Sequence, residues 1–164
     1  MIFALSSLAH DSRNKVEHRL EDGGRLVWEL LGDVPPDALL AAEVELDPDR
    51  EWLMRCDRVD FPPGGVAYRH THPGPGIRYL LAGELAIESP EGVRTYRPGE
   101  AWFEGADYPV VATASETEDT AFVRVLLLPR EWEGKRTIRY LDPADEDKPK
   151  LQRATILLET AIEP

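Results

Sequence analysis

Short apolar runs rich in Val, Ile, Leu, Phe, Tyr and Trp alternate along this chain with turns made of glycine and proline. The turns recur at close intervals, at Pro35-Pro36, Pro62-Pro63-Gly64-Gly65, Pro73-Gly74-Pro75-Gly76, Pro90-Glu91-Gly92 and Pro98-Gly99. Branched and aromatic residues favour extended strands, whereas glycine and proline favour turns. Strands with this spacing predict an all-β antiparallel sandwich or barrel with at most one or two short helices.

Several elements can be placed from the same pattern. Leu80–Glu88 and Val93–Tyr96 predict a hairpin across the Ser-Pro-Glu-Gly turn between them. Phe122–Leu128 predicts a strongly apolar strand that ends at a proline, and Arg153–Ile162 predicts a last strand that has to pair with another. Pro36–Glu43 fits either one or two helical turns or an irregular loop.

Composition limits the class of function. The chain has 164 residues, which fits one domain with a substantial core. Its net charge of −12 argues against DNA, RNA or an anionic membrane as the main partner, because polyanions attract Lys and Arg. The chain has no apolar run of about 18 residues, so the sequence predicts no transmembrane helix. We expect no signal peptide because the first residues lack a basic stretch. Cys56, expected in the core, is the only cysteine, so no intrachain disulfide can form, which favours a cytoplasmic location.

Two of the four histidines, His70 and His72, stand two apart in a segment that otherwise has the composition of a strand. Residues i and i+2 of a strand point to the same face, so we expect both imidazoles to project into one space. A β-barrel can present two nitrogen ligands to one metal ion in this way.

The spacing around this pair resembles the first motif of the cupin superfamily. The matching positions are Gly64, five residues, His70, one residue, His72, three residues, Gly76, six residues and Gly83. Arg97–Glu104 resembles the second motif, and the resemblance extends over about residues 52–130. It implies a jelly roll, or double-stranded β-helix, with a pocket between its two sheets.

The resemblance also implies one cupin domain spanning the chain. Its parts are an N-terminal extension at 1–50, a barrel core at 51–130 and a C-terminal extension at 131–164. The extensions carry the apolar runs Leu26–Leu31 and Thr155–Leu158. Together these runs have more apolar surface than one small barrel is expected to cover. Together with the resemblance, these runs predict a homodimer. The alternative is that both segments fold back on their own barrel.

In metal-binding cupins, two histidines and a glutamate of the first motif join a histidine of the second motif around one divalent ion. Here the glutamate position is Gly76 and the second-motif histidine position is Val110, which leaves His70 and His72. Two imidazoles alone rarely hold a divalent ion, because protein sites normally use three or four ligands. The candidates for a third ligand, neither of them at a family position, are Glu104 first and Asp107 second. The resemblance would then imply Fe, Mn, Zn or Ni.

Four side chains are candidates to bind an organic ligand, and they are Tyr68, Arg78, Trp102 and Tyr108. Strand alternation in the family register puts Arg78 on the pocket side, where it would attract a carboxylate or another anion; a register shift would leave it on the surface. Tyr68 is expected to share the face of His70, and the aromatic residues either line the pocket or pack the core. His10 and His18 are expected to be ordinary histidines.

Three functions stay open from the sequence. The first is a metal-dependent oxygenase, isomerase or lyase that acts on a small organic molecule, with His70, His72 and Glu104 around the ion. The second is a non-catalytic cupin that binds a small molecule, an anion among the candidates, in a pocket that has lost its metal. The third is a structural or assembly role without a ligand. Whether the protein is an enzyme stays open at this stage.

Overall fold

Two five-stranded antiparallel sheets face each other, and a four-stranded sheet packs on the outer side of one of them. The computed structural model describes residues 1–164. The strands are β1 (Ile2–Ser6), β2 (Lys15–Arg19), β3 (Arg25–Leu31), β4 (Ala38–Glu43), β5 (Trp52–Phe61), β6 (Val66–Thr71), β7 (Gly76–Ala82), β8 (Leu85–Ser89), β9 (Gly92–Tyr96), β10 (Ala101–Glu104), β11 (Val110–Ala114), β12 (Thr120–Pro129), β13 (Arg139–Tyr140) and β14 (Arg153–Ile162). The N-terminal sheet has the order β2-β3-β1-β4, the central sheet β10-β7-β12-β5-β14, and the facing sheet β13-β6-β11-β8-β9.

Helix is confined to two 3₁₀ turns of three residues each, Arg130–Trp132 and Pro143–Asp145. The all-β jelly roll with at most one or two short helices is therefore confirmed. No helix is long enough and apolar enough to cross a membrane.

Successive side chains of β12 point alternately to the two faces of the central sheet, and both faces are covered. All ten residues of this strand are buried. Val123, Val125 and Leu127 pack in the core shared with the N-terminal sheet, whereas Phe122 and Arg124 line the space toward the facing sheet. A strand covered on both faces has to be apolar nearly throughout, which is why this run is continuous and not alternating.

The N-terminal sheet completes this core. Leu26 and Trp28 of β3 are buried in the same cluster as Met54 and Cys56 of β5, and the Trp28 indole donates a hydrogen bond to the carbonyl of Ile77 at 3.1 Å. Cys56 is a core residue as predicted. The apolar run in β3 is thus covered by its own barrel, and it no longer supports a homodimer.

Three local predictions have different outcomes. β8 and β9 form the predicted hairpin, and β14 begins and ends where the sequence placed it. Leu80–Glu88, predicted as the first strand of that hairpin, is divided between β7 and β8, because Gly83 at φ +76° turns the chain from the central into the facing sheet. Both interpretations of Pro36–Glu43 are wrong, since Ala38–Glu43 forms β4 and pairs antiparallel with β1. Pairing with a neighbouring strand overrides the helix propensity of its Leu and Ala residues.

His10 differs from the ordinary histidine that was expected. Its Nδ1 lies 2.8 Å from Glu29 Oε2, and its Nε2 lies 2.8 Å from Asp37 Oδ1. Only a protonated imidazole can donate to two carboxylates at once. The hydrogen bond to Glu29, helped by Asp37, raises the pKa of His10 above its usual value. His10, in the loop between β1 and β2, therefore links Glu29 on β3 to Asp37 just before β4, and these two strands flank β1 in the N-terminal sheet.

Candidate functional site

A cavity of about 540 Å³ lies between the central and facing sheets. Its walls include apolar residues from both sheets, among them Val59 and Phe122 on one side and Ile87 and Ala112 on the other. Residues of the segment before β13, such as Ile138, and of β14 border its open end. The pocket thus lies where the resemblance implied it.

A row of four side chains crosses the central sheet on the cavity side. Asp57 on β5 is paired in register with Arg124 on β12, Arg124 with Arg78 on β7, and Arg78 with Trp102 on β10. Directly opposed residues of antiparallel strands point to the same face of a sheet. All four consequently line the same cavity, Arg78 on the side that strand alternation predicted.

Arg124 connects the central sheet to the facing sheet. Its Nε and Nη2 lie 3.1 and 3.0 Å from Asp57 Oδ2, and its Nη1 lies 3.2 Å from His72 Nε2. A guanidinium only donates, so His72 Nε2 accepts and the ring proton is on Nδ1, which donates to Thr137 Oγ1 at 3.0 Å. Burial, reinforced by the charge of Arg124, lowers the pKa of His72 well below its usual value. The His72 ring is therefore neutral.

His70, the other imidazole of the pair, keeps one ring nitrogen free. Its Nδ1 lies 2.6 Å from the carbonyl oxygen of Tyr68. A carbonyl only accepts, so Nδ1 carries the proton and Nε2 keeps its lone pair. The ring centroid lies 5.1 Å from that of His72, with the planes at 83°. Burial lowers the pKa of His70, which favours this neutral form.

Glu104 is held by two donors on the cavity wall. Its Oε2 lies 2.7 Å from Arg78 Nη2, and its Oε1 accepts from the Trp102 indole at 3.0 Å. Arg78 Nη1 also donates to the carbonyl of Gly76 at 2.8 Å. Burial lowers the pKa of Arg78 to about 10, so the guanidinium stays charged at neutral pH. A Cβ at position 76 would lie 2.9 Å from Arg78 Nη1, so the glycine makes room for the guanidinium.

A divalent ion does not fit this donor set. Nε2 of His72 accepts from a guanidinium, and both oxygens of Glu104 are engaged. Val110, the position that the resemblance assigns to a further histidine ligand, lies opposite His70 in the sheet. The carboxylate of Asp107 is exposed. No group of three or more His, Cys, Asp or Glu side chains is placed to hold an ion. Metal binding would require the guanidinium contacts to break.

The cavity lining carries a charge opposite to that of the whole chain. Six cationic side chains line it against two carboxylates, in a chain with a net charge of −12. The cations are Arg55, Arg78, Arg124, Lys135, Arg136 and Lys150, and the carboxylates are Asp57 and Glu104. The first three cations are each paired with a carboxylate. Lys135, Arg136 and Lys150 form no ion pair, and Lys135 and Arg136 are exposed beside the opening.

Two predicted ligand-binding residues lie elsewhere. Tyr68 is not among the cavity residues, and its ring lies 4.8 Å from Lys148 Nζ. A β-bulge explains this position. Ala67 and His70 on β6 are three positions apart, whereas their partners on β11, Ala112 and Val110, are two apart. The extra residue on β6 shifts the alternation, so Tyr68 does not share the face of His70. Tyr108 borders a separate depression of about 260 Å³ and donates to Glu91 at 2.9 Å.

Six charged cavity residues were not predicted from the sequence, namely Lys135, Arg136 and Lys150 near the opening and Arg55, Asp57 and Arg124 inside strands. The last three could have been found. Their signal was present in the chain, as Arg124 interrupts the apolar run of β12 and the other two interrupt that of β5. A charge inside a strand covered on both faces needs a partner or a polar cavity. A charged residue within a continuous apolar run is therefore itself a sign of a buried polar site.

No protein-family model matches the chain, and comparison with curated proteins finds no match. One similar solved structure is an RmlC-like cupin from Shewanella frigidimarina, with 17% identity and a TM-score of 0.43 over 48% of this chain and 68% of that one. Another is the polyketide cyclase RemF from Streptomyces resistomycificus, with 13% identity and a TM-score of 0.44 over 84% and 79%. A third is the DMSP lyase DddQ from Ruegeria pomeroyi, with 19% identity and a TM-score of 0.47 over 58% and 53%. These likenesses concern the fold alone.

Proposed function

We propose that this cupin-fold protein binds a small organic anion with an apolar body in the cavity, through its own side chains and without a metal ion. The observation that carries the proposal is the excess of cations around the cavity of a chain whose net charge is −12. In an acidic protein, a local cluster of unpaired cations draws anions to one place.

The anionic group belongs at the open end of the cavity. Lys135, Arg136 and Lys150 line the cavity and have no carboxylate partner, so their charge is not neutralised within the protein. Lys150 Nζ donates to the carbonyls of Glu146 and Lys148 at 2.7 and 2.8 Å, which leaves one of its three hydrogens for a ligand. Arg136 Cζ and Lys150 Nζ lie 5.7 and 4.8 Å from the centre of the Tyr140 ring, which holds both near the opening. A carboxylate or phosphate would receive charge-assisted hydrogen bonds here.

The rest of the ligand lies among apolar walls. Eleven of the 23 residues that line the cavity are hydrophobic, including Phe61, Trp102 and Phe122. The Trp102 ring contacts Phe122 edge to face at 5.5 Å between centroids. A cavity of about 540 Å³ is within the usual size of small-molecule sites. An aromatic or branched aliphatic acid has the matching combination of charge and apolar surface.

Isothermal titration calorimetry with 2-naphthoate and its neutral amide, 2-naphthamide, tests this proposal. We expect the anion to bind at least about tenfold more tightly than the amide, with an affinity that falls as salt is added. Replacing Lys135, Arg136 and Lys150 by Gln should remove the preference for the anion.

The matched control changes the same charge elsewhere. Arg13, Lys15 and Arg19 are exposed and lie outside the cavity, so their replacement by Gln should leave the preference intact. Failure of both probes to bind, equal affinity for anion and amide, or equal loss in the two triple variants would contradict the proposal.

The second candidate function is a metal-dependent oxygenase, isomerase or lyase. The observation in its favour is that the rings of His70 and His72 lie 5.1 Å apart on one cavity wall. Protein purified without an affinity tag should be analysed for Fe, Mn, Zn and Ni. Micromolar or tighter binding that is lost in the His70→Ala, His72→Ala double variant, and weakened by Glu104→Gln, would favour this function over metal-free binding.

A further inference from the structure

The cavity lining has hydrogen-bond acceptors that no protein donor satisfies. Asp57 Oδ1 and Gln152 Oε1 are buried without a hydrogen-bond partner, and both residues line the cavity. Arg124 directs both of its contacts with Asp57 to the Oδ2 atom, which is why Oδ1 receives none. Buried acceptors without donors are uncommon in folded proteins because they cost free energy.

His70 Nε2 is a third acceptor without a donor. Its ring is more than nine-tenths buried and lines the cavity, and its orientation is held by the bond from Nδ1 to the Tyr68 carbonyl. His72, the neighbouring imidazole, cannot play the same part because Arg124 already donates to its Nε2. The cavity lining therefore offers free acceptors as well as cations without a carboxylate partner, and the His70 ring lies 6.5 Å from that of Tyr140.

We propose that the ligand carries a hydroxyl or amino group that donates a hydrogen bond to His70 Nε2. The ligand class is then a hydroxy- or amino-substituted organic acid, with its anionic end at Lys135, Arg136 and Lys150. This inference rests on the proposed function, since it takes the anionic end as given. Arg124 contacts both Asp57 and His72, the neighbour of His70 in the ring pair, so the free Asp57 Oδ1 lies in the same part of the cavity wall.

Matched hydroxy and methoxy acids test the inference at three lengths. The pairs are 4-hydroxybenzoate, 4-hydroxyphenylacetate and 6-hydroxy-2-naphthoate, each with its methyl ether. Every probe carries the carboxylate, and only the hydroxy member can donate. In calorimetry at neutral pH, we expect the hydroxy acid of at least one pair to bind about fivefold or more tightly than its methyl ether. 2-Naphthoate, which has no donor, should bind like 6-methoxy-2-naphthoate.

The variant His70→Phe removes the acceptor and keeps a ring of similar size. The hydroxy preference should fall to about one, while the methoxy acids keep their affinity. A measurement on the wild-type protein replaces this variant if it does not fold. With ¹⁵N-labelled histidine, the Nε2 resonance of His70 should shift upfield with the best hydroxy acid and stay in place with its ether.

The outcomes separate this inference from the function on which it rests. If no acid binds, the proposed function fails. If hydroxy and methoxy acids bind equally at all three lengths, or the preference persists in His70→Phe, or the Nε2 resonance does not respond, the acid site stands and the donor contact is wrong.

Discussion

The buried pair Arg124–Asp57 gives the most specific test of how this cavity is held together. The two side chains are 8% and 3% exposed, and the shortest distance between them is 3.0 Å. At that separation, Coulomb's law with an effective dielectric constant of about 20 gives about 5 kcal/mol. Arg124→Met would leave the Asp57 carboxylate buried without its partner, so we expect a loss of about 3–5 kcal/mol in the free energy of unfolding.

A double-mutant cycle isolates the interaction. Asp57→Val should also cost about 3 kcal/mol or more, because it leaves the guanidinium with His72 as its only remaining side-chain partner. The double variant Arg124→Met, Asp57→Val places two apolar groups together and should be more stable than either single variant. Urea unfolding followed by circular dichroism measures all four proteins.

An exposed pair of nearly equal length is the control. Arg69 Nη2 lies 3.1 Å from Glu88 Oε1, with the side chains 43% and 53% exposed. The same cycle, Arg69→Met with Glu88→Val, should give a coupling of about 0–1 kcal/mol because solvent screens the charges. Single losses below about 1 kcal/mol at Arg124 and Asp57, or additive losses in their double variant, would refute the reasoning.

Three further predictions concern other parts of the molecule. Gly76→Ala should cost about 1–3 kcal/mol in urea unfolding, because its Cβ would lie 2.5 Å from Leu126 Cδ2, whereas Gly105→Ala, with nothing within 4 Å, should cost far less. Because the pKa of His10 is raised in the folded protein, the stabilisation by its ion pairs should be full below about pH 6.5 and be lost as pH rises through the folded pKa. The difference in melting temperature between wild type and His10→Gln should therefore shrink as pH rises over that range. A difference that stays constant would count against the ion pairs. The edge strand β14 exposes Ile156, Leu157 and Leu158 by 43–46%, so we expect a homodimer that Leu157→Lys weakens; in sedimentation, a wild-type mass near 18.5 kDa that does not change with concentration would contradict it.

The architecture was predictable because it depends on local patterns. Glycine and proline mark most of the turns, and the length of each apolar run limits the strand between them. The bounds of β14 and the turn that joins β8 to β9 follow from such patterns alone. The cavity position of His70 and His72 was predicted from their i, i+2 spacing, although His72 lies just beyond the end of β6.

The chemistry of the cavity depended on the tertiary structure. Arg124 and Asp57 lie 67 residues apart in the chain and meet only because β12 and β5 pair in one particular register. The same register places Arg78 beside Arg124, and the chain then brings His72 close enough to accept from that guanidinium. Nothing in the local sequence of the histidine motif shows that one of its ring nitrogens is already engaged.

Two features explain why local sequence patterns were not sufficient. The bulge in β6 moves Tyr68 out of the cavity, and it is visible only in the pairing with β11. Residues 38–43 form a strand because β1 offers a free edge, which their own composition does not indicate. The sequence by itself thus determined most strands of the two barrel sheets and the shared position of His70 and His72 at the cavity. The tertiary structure decided which side chains share the cavity, because strand register and long-range charge pairing are properties of the assembled sheets.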